Sequence, residues 1–444
     1  RTQQMLNAPL MRTLLRLAAP NIIGLFAMTI VIGYDCFILG RLGPSALAGV
    51  ALVLPASMLM LQMAAGGIGG ATTAAVARAL GAGRRDDATR LAQHALFIAC
   101  VAGVIFTIAQ FVLGRAIYEA MGGLGAALAD ALIYSNVLFG GALVIWLTNV
   151  LAAIVRGAGN MLQPSLALLG AALAHLALCP LLVFGWGPMP GLGIAGAATS
   201  TLVTNAAAAL GMGFYLMRPE GAVNLRGLPW RLHAELLRCI LRVGLPSSVG
   251  PLISNGSIAL TTAFVGSFGL AALAGYGIAA RLEYILVPIA FGVGTALTAM
   301  VATNLGAGQR ERALRVTWAG SGLVAAVTGS IGLTAAVWPG LWMNMFTADP
   351  AVHELGGLYL NIVGASYGLF GLAATLTFAS QGAGRMAWPL AGSVLRLALI
   401  MVGGWVCVHL LRVQPSGLFL VVAFSMALYA LTLTAAIRIG GWGR

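Results

Sequence analysis

"IVIGYDCFILGRLGPSALAGVAL", residues Ile30 to Leu52, holds one acid, Asp35, and one other full charge, Arg41, in otherwise apolar sequence. The apolar run leading into it starts at Leu14 and exceeds the ~20 residues an α-helix needs to cross a hydrocarbon core of about 30 Å. The rest of the chain repeats that pattern. Sixty per cent of its 444 residues are hydrophobic and 8% are charged, against about 25% charged in an ordinary soluble domain. The sequence therefore reads as an all-α integral membrane protein, since β-barrel strands would be shorter and alternating.

Apolar runs between Gly, Pro and charged punctuation predict twelve spans, near 14–39, 46–75, 92–113, 131–155, 161–184, 192–217, 240–265, 271–302, 316–340, 357–380, 388–411 and 416–437. Leu14 onward reads as a full span rather than a cleavable leader. The net charge is +13 and every basic residue is arginine. These arginines flank apolar spans instead of gathering on one soluble face, so no nucleic-acid partner is expected. With the N-terminus inside, nineteen arginines fall on the cytoplasmic side and three outside (Arg41, Arg115, Arg412), with Arg281 and Arg396 left within spans. That asymmetry puts both termini in the cytoplasm. The five cysteines, Cys36, Cys100, Cys179, Cys239 and Cys407, stand far apart, with no spacing that suggests a disulfide framework or a metal site.

The two halves repeat each other. "GRLGPSALAGVAL" (40–52) aligns with "GSFGLAALAGYGI" (266–278), and Pro20 of "LRLAAP" with Pro246 of "LRVGLP". "GGIGGATTAAVARALGAGRR" (66–85) parallels "FGVGTALTAMVATNLGAGQR" (291–310), and "RGAGNMLQP" (156–164) parallels "QGAGRMAWP" (381–389). A duplicated six-span unit with an even number of crossings gives parallel repeats related by an axis along the membrane normal. The expected organisation is an N-terminal lobe 1–217, an Arg- and Pro-containing linker 218–239 and a C-terminal lobe 240–444, with a cleft between bundles that rock in alternating access. The "GAG" strings lack the Lys-Ser/Thr end of a phosphate loop and read as turns where the chain leaves the membrane.

In order and duplication these motifs resemble the multidrug and toxic compound extrusion (MATE) transporters, most closely the DinF-type branch. The resemblance spans essentially the whole chain and implies a bacterial inner-membrane antiporter that expels amphipathic, mainly cationic organic compounds in exchange for protons or, less favoured, sodium ions, with no cofactor. It implies that Asp35 is the ion-coupling acid and that Pro20 lets the first span bend. Family members often carry an Asn and, four residues on, an Asp before a Pro in the fifth span; this chain has His175 and Cys179 before Pro180. The seventh-span Glu of the sodium-coupled NorM-type branch is missing too, Ser254 and Asn255 standing in that neighbourhood.

An ionised Asp deep in a span costs about 2.5–3.5 kcal/mol on insertion scales, so such acids face a cavity or a partner. Asp35 sits five residues before Gly40, roughly 8 Å below the end of its span. Desolvation favours the protonated acid and a nearby organic cation favours the carboxylate, which makes the two occupants exclude each other. The plainer reading is an acid near the interface neutralised by Arg41 or by solvent. His175 shares a helix face with Cys179, and histidine is the side chain suited to proton exchange, so it is a second coupling candidate or a hydrogen-bonded packing residue. Pro20 is a hinge candidate, although Pro246 stands in its place in the second half, where Thr261 replaces the acid. Thr201, Thr204 and Asn205 share a face of the sixth span and, with Asn149, either line a cavity or act as glue between helices, glue being the commoner use. Arg281 and Glu283, two apart, point to different sides of a helix. A salt bridge to another helix is their first reading, with Arg396 as partner for Glu283, and a substrate-facing Glu283 is the sharper one. Tyr34, Cys179 and Asn255 complete the candidate cavity set.

No HExxH string or hydrolytic acid pair appears, so no enzyme or metal site is expected. A lipid-linked oligosaccharide flippase is the alternative transport reading, although it would favour a cavity rich in arginines for pyrophosphate. The partners expected are small organic cations and the lipid bilayer, with the chain acting as a monomer.

Overall fold

The computed structural model describes residues 2–187, 189–411, 413–440 and 442; Arg1, Arg412 and Arg444, counted in the charge asymmetry, lie outside them. Among the described residues eleven helices are long and apolar enough to cross a membrane, and a bent pair counted as one span makes the twelfth. The spans are α1 (Leu10–Gly40), α2 (Pro44–Gly81), α3 (Arg85–Ala120), α4 (Gly125–Gly140 and Ala142–Gly157, bent by 48°), α5 (Leu162–Phe184) and α6 (Ile194–Leu216). The second set is α7 (Ala234–Gly266), α8 (Leu270–Gly306), α9 (Arg310–Val337), α10 (Pro350–Gly382), α11 (Ala387–Leu410) and α12 (Pro415–Arg438). A two-residue hairpin, Gly185–Trp186 against Met189–Pro190, joins α5 to α6.

The glycines that reveal the repeat are helix terminators. Gly83 and Gly308 both have φ +76°, Gly159 and Gly384 have φ +77° and +73°, and Gly43 and Gly269 have φ +122° and +105°. At each of the first four, the next amide donates back to a carbonyl five residues earlier, as in Arg84 N to Ala79 O at 2.9 Å and Gln309 N to Asn304 O at 2.8 Å. This is the left-handed cap for which glycine is favoured. The repeated strings are therefore turns, one at the end of each matching span.

α2 and α8 cross on the repeat axis. A Cβ on Gly81 would collide with the Thr303 carbonyl, and a Cβ on Gly306 would collide with the Arg78 carbonyl, the same contact made twice. Around it, Arg78 Nη2 donates to Gly382 O at 2.8 Å, Gln381 Nε2 to Gly66 O at 2.7 Å and Asn21 Nδ2 to Thr295 Oγ1 at 2.8 Å. Gly66 lies in a π-helical turn, Met63–Ile68, inside α2, where the wider coil breaks the regular ladder and frees carbonyls for other partners.

Apolar packing follows the same division. At the arginine-rich end the halves share cores, with Leu14 and Ala18 among Ala290, Val293 and Leu297, and Ala74 and Ala77 against Ala302. At the other end the cores are separate: Ile38, Leu39, Cys179, Val183 and Ile194 in the first half, and Val265, Tyr276, Tyr359, Leu418 and Phe419 in the second. The described buried cores thus join the two halves at one end and stay within each half at the other. Span eight departs from the uninterrupted run read from sequence, because its two helical pieces meet at Arg281–Leu282.

Because the Gly81 crossing leaves no room for a side chain, Gly81→Leu should destabilise the detergent-purified protein by about 1–3 kcal/mol, the usual cost of overpacking. Gly277→Leu, which meets nothing within 4 Å, should leave the unfolding temperature unchanged; a thermal melt of both variants checks this.

Candidate functional site

α1 carries Asp35 five residues before its end at Gly40. An acid there needs a partner, and α5 supplies it: His175 Nε2 lies 2.7 Å from Asp35 Oδ1, and Cys179, one turn on, donates its S–H weakly to the same oxygen at 3.6 Å. On its other side His175 Nδ1 meets Ser200 Oγ of α6 at 3.0 Å. The His175 side chain is 3% exposed and that of Asp35 17%, so the carboxyl is the part of the cluster that keeps an opening.

The chain of contacts accommodates two protonation levels with the same heavy atoms. With one proton fewer, Asp35 is a carboxylate accepting Nε2–H, and Ser200 donates to a bare Nδ1. With one more, both ring nitrogens carry hydrogen and Ser200 accepts. The extra proton belongs to the pair rather than to either residue.

Pro180 explains how α1 is held here. Proline has no amide hydrogen, so the carbonyl four residues back, Leu176 O, loses its helical partner. Tyr34 Oη donates to that carbonyl at 2.9 Å. The gap left in α5 by one proline is closed by the residue next to Asp35.

The structure brings Tyr34, Asp35, His175 and Cys179 together and leaves the other candidates read from the sequence elsewhere or differently used. Arg41 does not neutralise Asp35; its guanidinium lies over the Phe37 ring, 4.7 Å from the centroid. α1 runs unbroken through Pro20. The glue reading of α6 is corrected: Thr201, Thr204 and Asn205 donate to Ala197 O, Ser200 O and Thr201 O of their own helix. Asn149 likewise turns back on Ile145 O. A hydroxyl within reach of both helices is that of Thr148 on α4, 2.7 Å from Val144 O of its own helix and 3.0 Å from Asn205 O of α6. Asn255 is exposed and bonds Pro251 O on its own helix. The salt bridge expected for Glu283 is also corrected: among the described residues no ion pair joins it to Arg281 or Arg396, and it accepts a hydrogen bond from Tyr359 Oη at 2.9 Å. Arg281 is exposed at the break in α8. The place of Asp35 in the second half is taken by Thr261, whose hydroxyl donates to Ser257 O, so the Asp35–His175 pair has no counterpart at that position. Ser200 was missed in the sequence; its one visible signal is its place four residues before Thr204.

Tyr34→Phe should cost about 0.5–1.5 kcal/mol, the usual net worth of a hydrogen bond, by leaving the partly buried Leu176 carbonyl unpaired. In a Pro180→Ala background, where residue 180 regains its amide hydrogen, the same change should cost much less. A double-mutant cycle of thermal stabilities checks this, and equal costs in both backgrounds would refute it.

The profile of the MatE family matches the chain twice, over residues 20–181 and 246–406, the two repeats described above. The chain is 25% identical over 402 residues to the FAD transporter of Shewanella oneidensis, covering 90% of this chain and 88% of that protein. It is 26% identical over 366 residues to the probable multidrug resistance protein NorM of Thermotoga maritima, covering 80% and 76%. Its fold superposes on that of a MOP superfamily transporter from Pyrococcus furiosus with a TM-score of 0.90, at 24% identity over 99% and 98% of the two chains. Twelve spans in two repeats, each repeat matched by the same profile, place this multi-pass membrane protein in the MatE family, the MATE multidrug efflux transporters, which move compounds across membranes and are not enzymes.

Proposed function

We propose that this chain exports amphipathic organic cations in exchange for protons, by alternating access, from a bacterial inner membrane in which both termini are cytoplasmic. We place it with the DinF-type members of the family and read it as working as a monomer. The observation that carries the reading is the Asp35–His175 pair, held at 2.7 Å inside a membrane-spanning bundle. With its extra proton the pair is neutral; without it the pair bears one negative charge in a medium where lone charge is costly. An organic cation entering from the cleft neutralises the deprotonated pair as the proton did. The two occupants therefore exclude each other, which is what antiport requires.

Sodium fits less well. It wants a shell of hard oxygens, and the partners of Asp35 are an imidazole nitrogen and a thiol. Access alternates by parting the α2/α8 crossing at the closed end, with Pro20 allowing α1 to bend as it follows. A second reading, export of a flavin nucleotide, is favoured by the relative called an FAD transporter, which aligns with 90% of this chain. The lipid-linked oligosaccharide flippase is not favoured, because no arginine joins the Asp35 cluster.

Liposomes loaded with a fluorescent organic cation and placed in a more acidic medium should lose it through the wild-type protein as protons enter. Asp35→Asn should lower the initial rate by about tenfold or more, within the range a coupling free energy of 1–3 kcal/mol allows. An inward sodium gradient without a pH difference should drive nothing. Efflux at the wild-type rate in Asp35→Asn would remove the pair from the mechanism, and export of FAD in place of the cation would establish the second reading.

A further inference from the structure

We propose that Asp35, His175 and Cys179 also form a binding site for a borderline-soft divalent transition-metal ion, best matched by Zn²⁺, and that the metal blocks the exchange of proton and cargo at this pair. Binding does not depend on the export reading; the block rests on it. One oxygen, one nitrogen and one sulfur donor lie within 4.8 Å of one another. Tetrahedral zinc, with bonds of about 2.0–2.3 Å, sets its donors roughly 3.3–3.5 Å apart. The Asp35 to Cys179 separation of 3.6 Å is already close to that. The Asp35 to His175 gap of 2.7 Å must open, an adjustment of less than 1 Å once an ion replaces the hydrogen between the two atoms.

The surroundings suit a metal in three further ways. His175 and Cys179, four apart on α5, offer a two-donor clamp on one helix face, and Asp35 closes it from α1. Ser200 Oγ at 3.0 Å from Nδ1 can accept that nitrogen's hydrogen, which leaves the Nε2 lone pair free; such an outer hydrogen bond is what fixes a ligating imidazole. A carboxylate and a thiolate balance a divalent charge with the imidazole neutral, so the loaded site carries no net charge into the bilayer. The same donors disfavour Na⁺, Mg²⁺ and Ca²⁺, which select oxygen shells.

The proton balance follows directly. Binding expels the thiol proton of Cys179 and, when the pair is loaded, the proton it carries, while the ion's own water leaves. Three protein donors leave a fourth position for water. The opening lies on the Asp35 side, the exposed edge of the cluster. With its donors taken from both α1 and α5, the ion pins these helices together and removes the negative charge that an organic cation would meet.

The test uses the full-length protein in detergent with the three exposed thiols, Cys36, Cys100 and Cys239, changed to Ser. Co²⁺ added to one equivalent should give the visible bands of a tetrahedral ion and a near-ultraviolet thiolate-to-cobalt band, and added Zn²⁺ should bleach both. Cys179→Ser should abolish the thiolate band. His175→Gln should weaken binding at least tenfold while the protein still elutes as a single sharp species. Absence of the thiolate band in the parent protein, or its survival in Cys179→Ser, would overturn the site. In liposomes external Zn²⁺ should stop cation efflux by the parent protein, and Cys179→Ser, compared with its own zinc-free rate, should lose a much smaller fraction of its efflux. Cobalt bands together with efflux that ignores Zn²⁺ would keep the metal site and refute the block.

Discussion

Helices α2 and α8 approach so closely that the backbone of each fills the space where the other would carry a side chain. Gly81 lies on the Thr303 carbonyl and Gly306 on the Arg78 carbonyl. Lipid tails are as apolar as the helix surfaces, so burial gives little drive for helices to associate in a membrane, and close backbone packing through small residues does that work. One contact made twice by a duplicated sequence must lie on the axis relating the copies. It draws the lobes together at the arginine-rich end, where Leu14 and Ala18 join a core with Ala290 and Leu297. At the other end each lobe keeps a core of its own.

Within the first lobe the positions are set by two local necessities. A carboxyl inside a span needs a partner, and α5 presents His175 and Cys179 on one face to meet it. A proline inside α5 leaves a carbonyl unpaired, and the tyrosine next to Asp35 fills it. Asp35 is thus placed by a bond its neighbour makes, and a defect in one helix becomes the register mark for another.

The sixth span shows why polarity alone does not tell glue from lining. A hydroxyl or amide on a helix can reach the carbonyl one turn back without a neighbour's help, and Thr201, Thr204 and Asn205 do so. The Thr148 hydroxyl also reaches back one turn, to Val144 O, and lies in addition within hydrogen-bonding distance of the Asn205 carbonyl on α6. Glu283 is satisfied from another helix instead: the Tyr359 hydroxyl of α10 donates to it, without a second buried charge and the desolvation that would bring.

Span count, repeat and family were legible in the sequence because each rests on a one-dimensional pattern: apolar runs of membrane length, terminating glycines at a constant offset, and motifs in a fixed order. Asp35 stood out because a charge in such a run is costly wherever the helix sits. The identity of its partners was not legible in the same way. His175 and Cys179 could be placed on one face by helical spacing, but the residue they face lies 140 positions away on α1. Only the packing of α1 against α5 and α6 decides that these groups and Ser200 converge. The break at Arg281–Leu282 and the side on which the lobes close were likewise settled in three dimensions, since both depend on which backbones can touch, a property that no single span carries.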